Sequence, residues 1–504
     1  MTRSQRLVLI ASILASFVAF LDMAVVNVAL PAIRRDLGGG IAMQQWVVDA
    51  YLLTLGSLIL VAGSLSDLFG RKRVLASGLV GFAGASLLCA AAPSVEILIV
   101  ARGLQGVAGA LLVPSSLALI IANFEKPAQG KAIGTWTAWT AIAFMLGPLV
   151  GGALVDGGSW RWVFAINVVP VAATLWVLGR MRPEARATDR TPVDLVGAGL
   201  CAVGLGGIIF ALIEQPGRGW SAPAIDLPFA GGLMAFAGFG WFERTAAHPM
   251  LDFRLFRSRN FAAGNLATVA IYAGLTAFTF LLTVFLQQVA GYRAVASGLA
   301  LLPVTLITFA LAPVFGRLAA RHGPRLYMTV GPITAAAGVA LMTRFDATAS
   351  YLTGLLPGVI VFALGLAATV APLTAAILGG IDERHAGIGS AINNAIARIA
   401  GLLAVAAIGG IVATRYASSI EHQTMAARTL DAPARAFLSE ARGRPFDTSL
   451  PDGEPATQVK AILNRASGDA LHVGLWSMAA LLTLGGLISA AGIRNPPASK
   501  RAQS

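Results

Sequence analysis

Charged residues are scarce in this sequence. They make up 12% of its 504 residues, whereas 56% of the residues are hydrophobic. Soluble domains carry about 25% charged residues, so the scarcity excludes an ordinary soluble domain and predicts an integral membrane protein. The net charge of +13 is no first indication of nucleic-acid binding, because basic residues of membrane proteins concentrate in cytoplasmic loops.

Cysteine and histidine are also rare, and neither suggests a chemical site. Cys89 and Cys201 lie within apolar runs, where cysteine usually acts as a small hydrophobic residue. The five histidines fall in loops or near predicted helix ends, and the sequence has neither metal-ligand spacing nor a phosphate-binding glycine loop. We therefore expect no enzyme activity, no metal and no cofactor.

Long apolar runs, in contrast, are abundant. A run of about 20 apolar residues is long enough to cross a bilayer as a helix. The fold class predicted is all-α integral membrane, with fourteen spans near residues 7–33, 45–66, 74–92, 96–122, 131–155, 161–180, 193–213, 226–243, 261–288, 295–319, 326–343, 351–379, 386–414 and 471–493.

The basic residues predict the orientation of these spans. Arginine and lysine concentrate in alternate loops, such as "GRKR" at 70–73, and in the tail "SKR" at 499–501. By the positive-inside rule, both termini are cytoplasmic, and we expect a multi-pass protein of a bacterial plasma membrane. The polar segment 415–470 then lies outside. Within it, "DAPARAFLSEARG" and "EPATQVKAILNRASG" predict two short helices. We interpret the segment as a surface loop, and the alternative is a lid over the external mouth.

A weak internal repeat divides the chain. "GSLSDLFGRKR" at 63–73 follows the second span, and "GRLAARHGPR" at 316–325 follows the tenth. This spacing predicts two six-helix halves, residues 1–192 and 244–504, separated by an inserted helix pair at 193–243. Paired bundles of this kind are a transporter architecture.

Four charges lie well inside predicted spans: Asp22, Asp49, Arg102 and Arg398. Charged groups inside a membrane are costly and usually functional. The first three belong to one half and lie at similar depth, so we expect one arginine to balance two carboxyl groups. Burial favours the neutral form of an acid and a guanidinium favours its charged form, so such an acid can exchange a proton near neutral pH.

The role of each acid stays open at this point. Asp22 is interpreted as a proton carrier, a counter-ion for a cationic substrate, or both. Either Asp22 or Asp49 is alternatively only a structural ion-pair partner of Arg102.

Other polar and aromatic residues are candidates for the same cavity. Gln105 lies one helical turn from Arg102 and is placed to orient it. Trp136 is interpreted as an aromatic wall for planar cations or as a lipid-facing residue. Asn393 and Asn394 are candidate cavity groups from the half whose spans lack acids.

Two stretches have the composition of moving contacts. In the loop at 63–73, Gly63 would allow two helices to approach closely, and Gly70 would allow a positive φ. Asp67 could pair with Arg71 in a contact that forms in one state of a gating cycle and breaks in the other. The alternative is that the basic residues only determine topology.

In the fifth span, the small residues Ala143, Gly147 and Gly151 share one helix face, next to Gly152, and Pro148 permits bending. Plain helix packing and a sliding, sealing contact both explain this face.

These stretches resemble the motifs of a known family, the fourteen-helix drug:proton antiporters of the major facilitator superfamily. The similar segments are "LDMAVVNVALP" (21–31), "WVVDAYLL" (46–53), "GSLSDLFGRKR" (63–73), "RGLQGVAGA" (102–110) and "AFMLGPLVGG" (143–152). Asp22 falls on the acid of the first-helix signature, and Asp49 matches an acid found in only some members. Ala143 replaces the first glycine of the fifth-helix pattern.

The resemblance implies proton-coupled antiport that exports hydrophobic, often cationic, drugs or toxic compounds by alternating access. Export of a lipid, a siderophore or a secreted metabolite is the alternative. The partners expected are protons, small hydrophobic or cationic molecules and the lipid bilayer, with no nucleic acid, and the chain is expected to be a monomer.

Overall fold

The computed structural model describes residues 1–181, 194–246, 249, 251, 253–345, 350–381, 386–427, 430–448 and 456–495. Within these ranges the regular elements are helices, and no β-strand occurs. An all-α fold is therefore confirmed for the described part of the chain.

The helices follow the predicted apolar runs. In chain order they are α1 (Arg3–Leu37), α2 (Ile41–Phe69), α3 (Arg71–Ala91), α4 (Val95–Ala110), α5 (Leu112–Asn123), α6 (Lys126–Gly157), α7 (Trp162–Ala165), α8 (Val168–Gly179), α9 (Leu195–Arg218), α10 (Pro223–Thr245), α11 (Arg259–Gln288), α12 (Ala294–His322), α13 (Pro324–Leu341), α14 (Leu356–Leu378), α15 (Ala386–Ala426), α16 (Ala432–Ala441) and α17 (Ala456–Gly492).

Twelve helical segments among the described residues are long and apolar enough to cross a membrane. They include α4 with α5 and α7 with α8, each pair counted as one segment. The predicted spans 45–66 and 131–155 fall on α2 and α6, which are not among these twelve segments. Some residues of both helices have side chains that are not part of the described structure. The number of fourteen spans and the cytoplasmic location of both termini therefore stay predictions.

The chain forms two compact units. Unit 1 comprises residues 1–38, 46–208 and 228–252, and unit 2 comprises 39–45, 209–227 and 253–504. The division into halves at 1–192 and 244–504 with an inserted pair at 193–243 stays a prediction.

The internal repeat appears as the same backbone turn in each unit. Gly70 precedes α3 with φ of 94° and Gly323 precedes α13 with φ of 91°. These φ values strain any residue with a side chain, so the positive φ predicted for Gly70 is confirmed. A Cβ atom at Gly63 would meet no atom within 4 Å, so the close helix approach expected there is not found among the described residues.

Two predicted spans are interrupted. The span at 96–122 breaks at Leu111, and the span at 161–180 breaks at Ile166 and Asn167. Pro114 and Pro170 follow these breaks by three or four residues. A proline lacks the N–H that would bond the carbonyl four residues earlier, so the helix is locally rearranged at each position.

The prediction for residues 415–470 is partly wrong. The first short helix exists as α16, whose N-cap Asp431 accepts a hydrogen bond from the Ala434 amide at 3.0 Å. The second is no separate helix, because α17 runs without a break from Ala456 to Gly492. The sequence "ATQVKAILNRASGDALHV" contains no proline and only one glycine, so nothing in it ends the helix. α15 also continues past residue 414 to Ala426.

Glycines let α13 and α14 pack at very short distance in unit 2. A Cβ atom at Gly365 would overlap the backbone nitrogen of Ala335, and one at Gly338 would overlap that of Phe362. In a bilayer, such small-residue contacts replace the hydrophobic effect as the source of helix association.

We expect Gly365→Ala to destabilise the protein by about 1–3 kcal/mol, because the new methyl group requires α13 and α14 to separate. The matched control is Gly84→Ala in α3, where a Cβ atom would meet nothing within 4 Å and alanine favours the helix. Melting temperatures of the purified variants in one detergent measure both changes. Equal melting temperatures would contradict the packing argument.

Candidate functional site

Five buried polar side chains of unit 1 form one hydrogen-bonded group, which we call the Asp22 cluster: Asp22, Ser86, Arg102, Gln105 and Asn167. Arg102 Nη1 donates to Asp22 Oδ2 at 2.7 Å. Gln105 Nε2 and Asn167 Nδ2 donate to Asp22 Oδ1 at 2.9 and 2.8 Å. The exposed fraction of Asp22 is 0% and that of Arg102 is 1%. The predicted pairing of Arg102 with an intramembrane acid therefore occurs at Asp22.

Further hydrogen bonds connect the residues that surround Asp22. Gln105 Oε1 accepts from Arg102 Nη1 at 2.5 Å, and Gln105 Nε2 donates to Ser86 Oγ at 2.8 Å. Gln105 therefore orients Arg102 as predicted, and also bonds the acid itself. Asn167 Nδ2 reaches the same Ser86 hydroxyl at 3.3 Å.

Helix α2 positions the guanidinium from the other side. Arg102 Nε donates to the backbone carbonyl of Val47 at 3.0 Å. The ring of Tyr51 lies 4.2 Å from Arg102 Cζ, and the ring of Phe164 lies 5.7 Å away. These distances allow cation–π attraction, which is strongest where water is excluded.

The hydrogen bonds around Asp22 involve both carboxyl oxygens. Oδ2 accepts one hydrogen bond and Oδ1 accepts two, and a carboxylate can only accept. Loss of any one of these donors would leave buried polar groups without a partner.

Asp49 has a different environment. Its exposed fraction is 0%, and neither carboxyl oxygen has a hydrogen-bond partner among the described residues. It lies on α2 between Val47 and Tyr51, which both contact Arg102, but it forms no ion pair with Arg102 among the described residues. The structure thus brings Asp22 and Arg102 together and leaves Asp49 apart from them.

Asn167 is a site residue that the sequence reasoning missed. It is neutral and lies at the break between α7 and α8, where its side chain turns toward Asp22. The available signal was a polar residue three positions before Pro170 inside an otherwise apolar run.

Of the remaining cavity candidates, Trp136 and Asn393 each form hydrogen bonds with side chains of other helices. Asn394 forms no such bond among the described residues. Trp136 Nε1 donates to Ser16 Oγ at 3.0 Å in unit 1. In unit 2, Asn393 Nδ2 donates to Asn265 Oδ1 at 3.1 Å and Thr268 Oγ1 at 2.9 Å. Asn394 is exposed and donates only along its own helix, to the Ser390 carbonyl.

The small-residue face of α6 packs tightly on α1. A Cβ atom at Gly147 would overlap Ala24, and one at Gly151 would lie 3.0 Å from Val25 Cα. Both contacts come directly after Asp22 on α1. Gly152 is buried, and Pro148 is half-buried inside a helix that continues through it.

The loop motif is only partly described. Arg71 begins α3 and is half-buried. The side chain of Asp67 lies outside the described residues, so the contact between Asp67 and Arg71 stays a prediction.

Comparison with known proteins identifies the family. The sequence model of a protein family, the Major Facilitator Superfamily, matches residues 12–405. The chain belongs to this superfamily.

Curated relatives within the superfamily are resistance proteins. The Multidrug resistance protein Stp of Mycobacterium tuberculosis is 33% identical over 423 residues, which cover 84% of this chain and 78% of that protein. The Puromycin resistance protein pur8 of Streptomyces alboniger is 34% identical over 435 residues, covering 85% of this chain and 86% of that protein.

A solved structure shares the fold. The crystal structure of a bacterial homolog to the human lysosomal transporter Spinster, in an inward-facing and unoccupied conformation, matches with a TM-score of 0.69 at 14% identity, covering 99% of this chain and 100% of that one. The protein is thus a multi-span membrane protein, and its family and fold are those of transporters rather than of enzymes.

We expect Asp22→Asn to lower the free energy of unfolding by about 3–5 kcal/mol, because Arg102 would stay buried without a counter-charge. The matched control is Asp36→Asn, the same substitution in the same helix. Asp36 pairs with Arg161 but its side chain is 47% exposed, so its loss should be under about 1 kcal/mol.

Melting temperatures in one detergent measure this difference. The double variant Asp22→Asn with Arg102→Gln should recover part of the loss, because it removes the uncompensated charge. Similar melting temperatures for Asp22→Asn and Asp36→Asn would contradict a buried ion pair.

Proposed function

We propose that this protein is a proton-coupled antiporter that exports hydrophobic, often cationic, drugs or toxic compounds across a bacterial plasma membrane by alternating access. The relatives named for multidrug and puromycin resistance support drug export. The observation that carries proton coupling is the contrast between two buried acids of unit 1, Asp22 and Asp49.

Asp49 is the proposed proton carrier. A charged carboxylate buried without a partner is very unfavourable, and such a group neutralises instead. Asp49 therefore holds a proton in the described arrangement. If alternating access exposes Asp49 to water, its charged form becomes hydrated and the proton is released. This cycle of burial and exposure is sufficient for one proton exchange per turnover.

The Asp22 cluster is the proposed two-state element. Arg102, Gln105 and Asn167 together donate the three hydrogen bonds that Asp22 accepts. Because the loss of one donor leaves a buried oxygen with fewer hydrogen bonds, this arrangement is stable only while all three donors stay in place. An open arrangement frees a negative charge that a cationic substrate or a proton can neutralise. Of the alternatives for Asp22, we favour a partner of Arg102 in the closed arrangement and a counter-ion for the substrate in the open one. We favour both roles over that of proton carrier.

The proton gradient supplies adequate free energy. Moving one elementary charge across 100 mV is worth about 2.3 kcal/mol, which corresponds to roughly a fifty-fold concentration ratio. One or two protons per cycle therefore drive substantial export.

We expect Asp49→Asn to abolish proton-driven efflux of a cationic fluorescent dye from proteoliposomes while the protein melts at the wild-type temperature. Asparagine copies the shape and neutrality of the protonated acid, so the fold is kept and only proton exchange is lost. Proton release on adding the dye to purified protein should disappear as well.

Asp36→Asn is the control for the efflux assay, because it removes an acid of unit 1 that is half exposed and already paired. It should retain efflux and proton release. Wild-type efflux by Asp49→Asn would contradict this role of Asp49, and a large fall in its melting temperature would contradict the neutral form.

A further inference from the structure

A cavity of about 830 Å³ lies between α15 and α17 in unit 2, far from the Asp22 cluster in sequence. Its volume is within the range of small-molecule sites, about 300–1,000 Å³. Both walls are polar helix faces: Arg415 and His422 on α15 are two turns apart, as are Arg465 and His472 on α17. Packed helices normally bury an apolar stripe at such a contact, so these polar faces need another explanation.

The acid of this cavity is already satisfied. Asp469 Oδ2 accepts from Ser419 Oγ at 2.6 Å and lies 3.8 Å from Arg415 Nη2. The same Ser419 hydroxyl accepts from Gln423 Nε2 at 3.0 Å. Asp469 is therefore an internal partner of its neighbours and not a free site for a cation.

Two lining side chains that flank Asp469 along α17 have no such partner. The ring nitrogen Nε2 of His472 is buried without a hydrogen bond to any described residue. Arg465 lines the same cavity, and it forms neither an ion pair nor a hydrogen bond within the described part of the chain. A guanidinium presents five donors in a planar fork that matches the oxygens of a phosphate or a carboxylate.

The charge balance of the cavity also favours an anion. Arg415 and Arg465 bring two positive charges, and Asp469 brings one negative charge. The surplus is positive even when both lining histidines are neutral.

The cavity lies at the level where lipid headgroups are expected. Arg259 at the start of α11 donates to the Gly492 carbonyl at the end of α17, so these two ends of unit 2 lie together. His472 is about 20 residues, or roughly 30 Å, along α17 from Gly492. This length equals the hydrocarbon thickness of a bilayer, about 30 Å, so we expect the cavity near the membrane surface opposite Gly492 if the predicted span 471–493 crosses the bilayer.

We propose that this cavity is a binding site for a phosphate group, held by Arg465 with His472. The phosphate comes either from an anionic phospholipid headgroup or from free phosphate in water. Both share the tetrahedral oxyanion that the unpartnered donors fit.

The test uses the full-length purified protein in an uncharged detergent. Calorimetric titration with inorganic phosphate measures free-ion binding, and native mass spectrometry measures retention of phosphatidylglycerol against zwitterionic phosphatidylcholine. We expect Arg465→Gln to weaken binding at least about tenfold, because it removes a charge-assisted hydrogen bond. His472→Gln should weaken it as well, by a smaller factor.

Arg435→Gln is the matched control. Arg435 is an exposed arginine of α16 that does not line the cavity, so this variant makes the same charge change in the same segment and should bind as the wild type does. Its melting temperature and that of Arg465→Gln should equal the wild-type value.

Either of two results supports the site. Binding of inorganic phosphate that Arg465→Gln loses indicates a site open to water, and selective phosphatidylglycerol retention that it loses indicates a headgroup site. The proposal is overturned if neither probe binds the wild type, or if Arg465→Gln and Arg435→Gln bind alike.

Discussion

The buried ion pair between Asp22 and Arg102 is the constraint on which unit 1 depends. A charge inside a membrane protein is tolerated only when other groups replace the water it has lost. Here α4 and the junction of α7 and α8 supply the donors to Asp22, and α2 supplies a carbonyl and an aromatic face to Arg102. Ser86 of α3 accepts from two of these donors. Because these contacts form one network, a shift of one of these helices alone would leave a buried polar atom unsatisfied. This interdependence supports the two discrete arrangements, closed and open, that we propose for the Asp22 cluster.

The two acids illustrate how environment sets the chemistry of identical side chains. Asp22 accepts three hydrogen bonds and pairs with Arg102, whereas Asp49 accepts none from the described residues. In the function that we propose, these environments correspond to two tasks: Asp22 meets a cationic cargo, and Asp49 changes its charge during the cycle.

Most of the helical architecture follows from hydropathy, because a helix that crosses a bilayer needs about 20 apolar residues in sequence. The pairing of Arg102 with an intramembrane acid could also be predicted from the sequence, because few charged residues lie within the predicted spans. The breaks at Leu111 and Ile166 were not predicted, because hydropathy is insensitive to a missing N–H, although Pro114 and Pro170 stood in the sequence. Asn167 was missed because a neutral amide leaves little trace in an apolar run. The isolation of Asp49 depends on the rotation of α2 about its axis, which no local pattern specifies.

The contact of α6 with α1 has a consequence for how this transporter can evolve. A Cβ atom at Gly147 would overlap Ala24, so a methyl group there requires α1 and α6 to separate, whereas one at Gly151 would lie 3.0 Å from Val25 Cα and requires a smaller shift. Substitutions at these two positions therefore disturb helix packing whatever compound the protein carries. Sequence variation is restricted along this face of α6, and positions with free volume around them are more open to change.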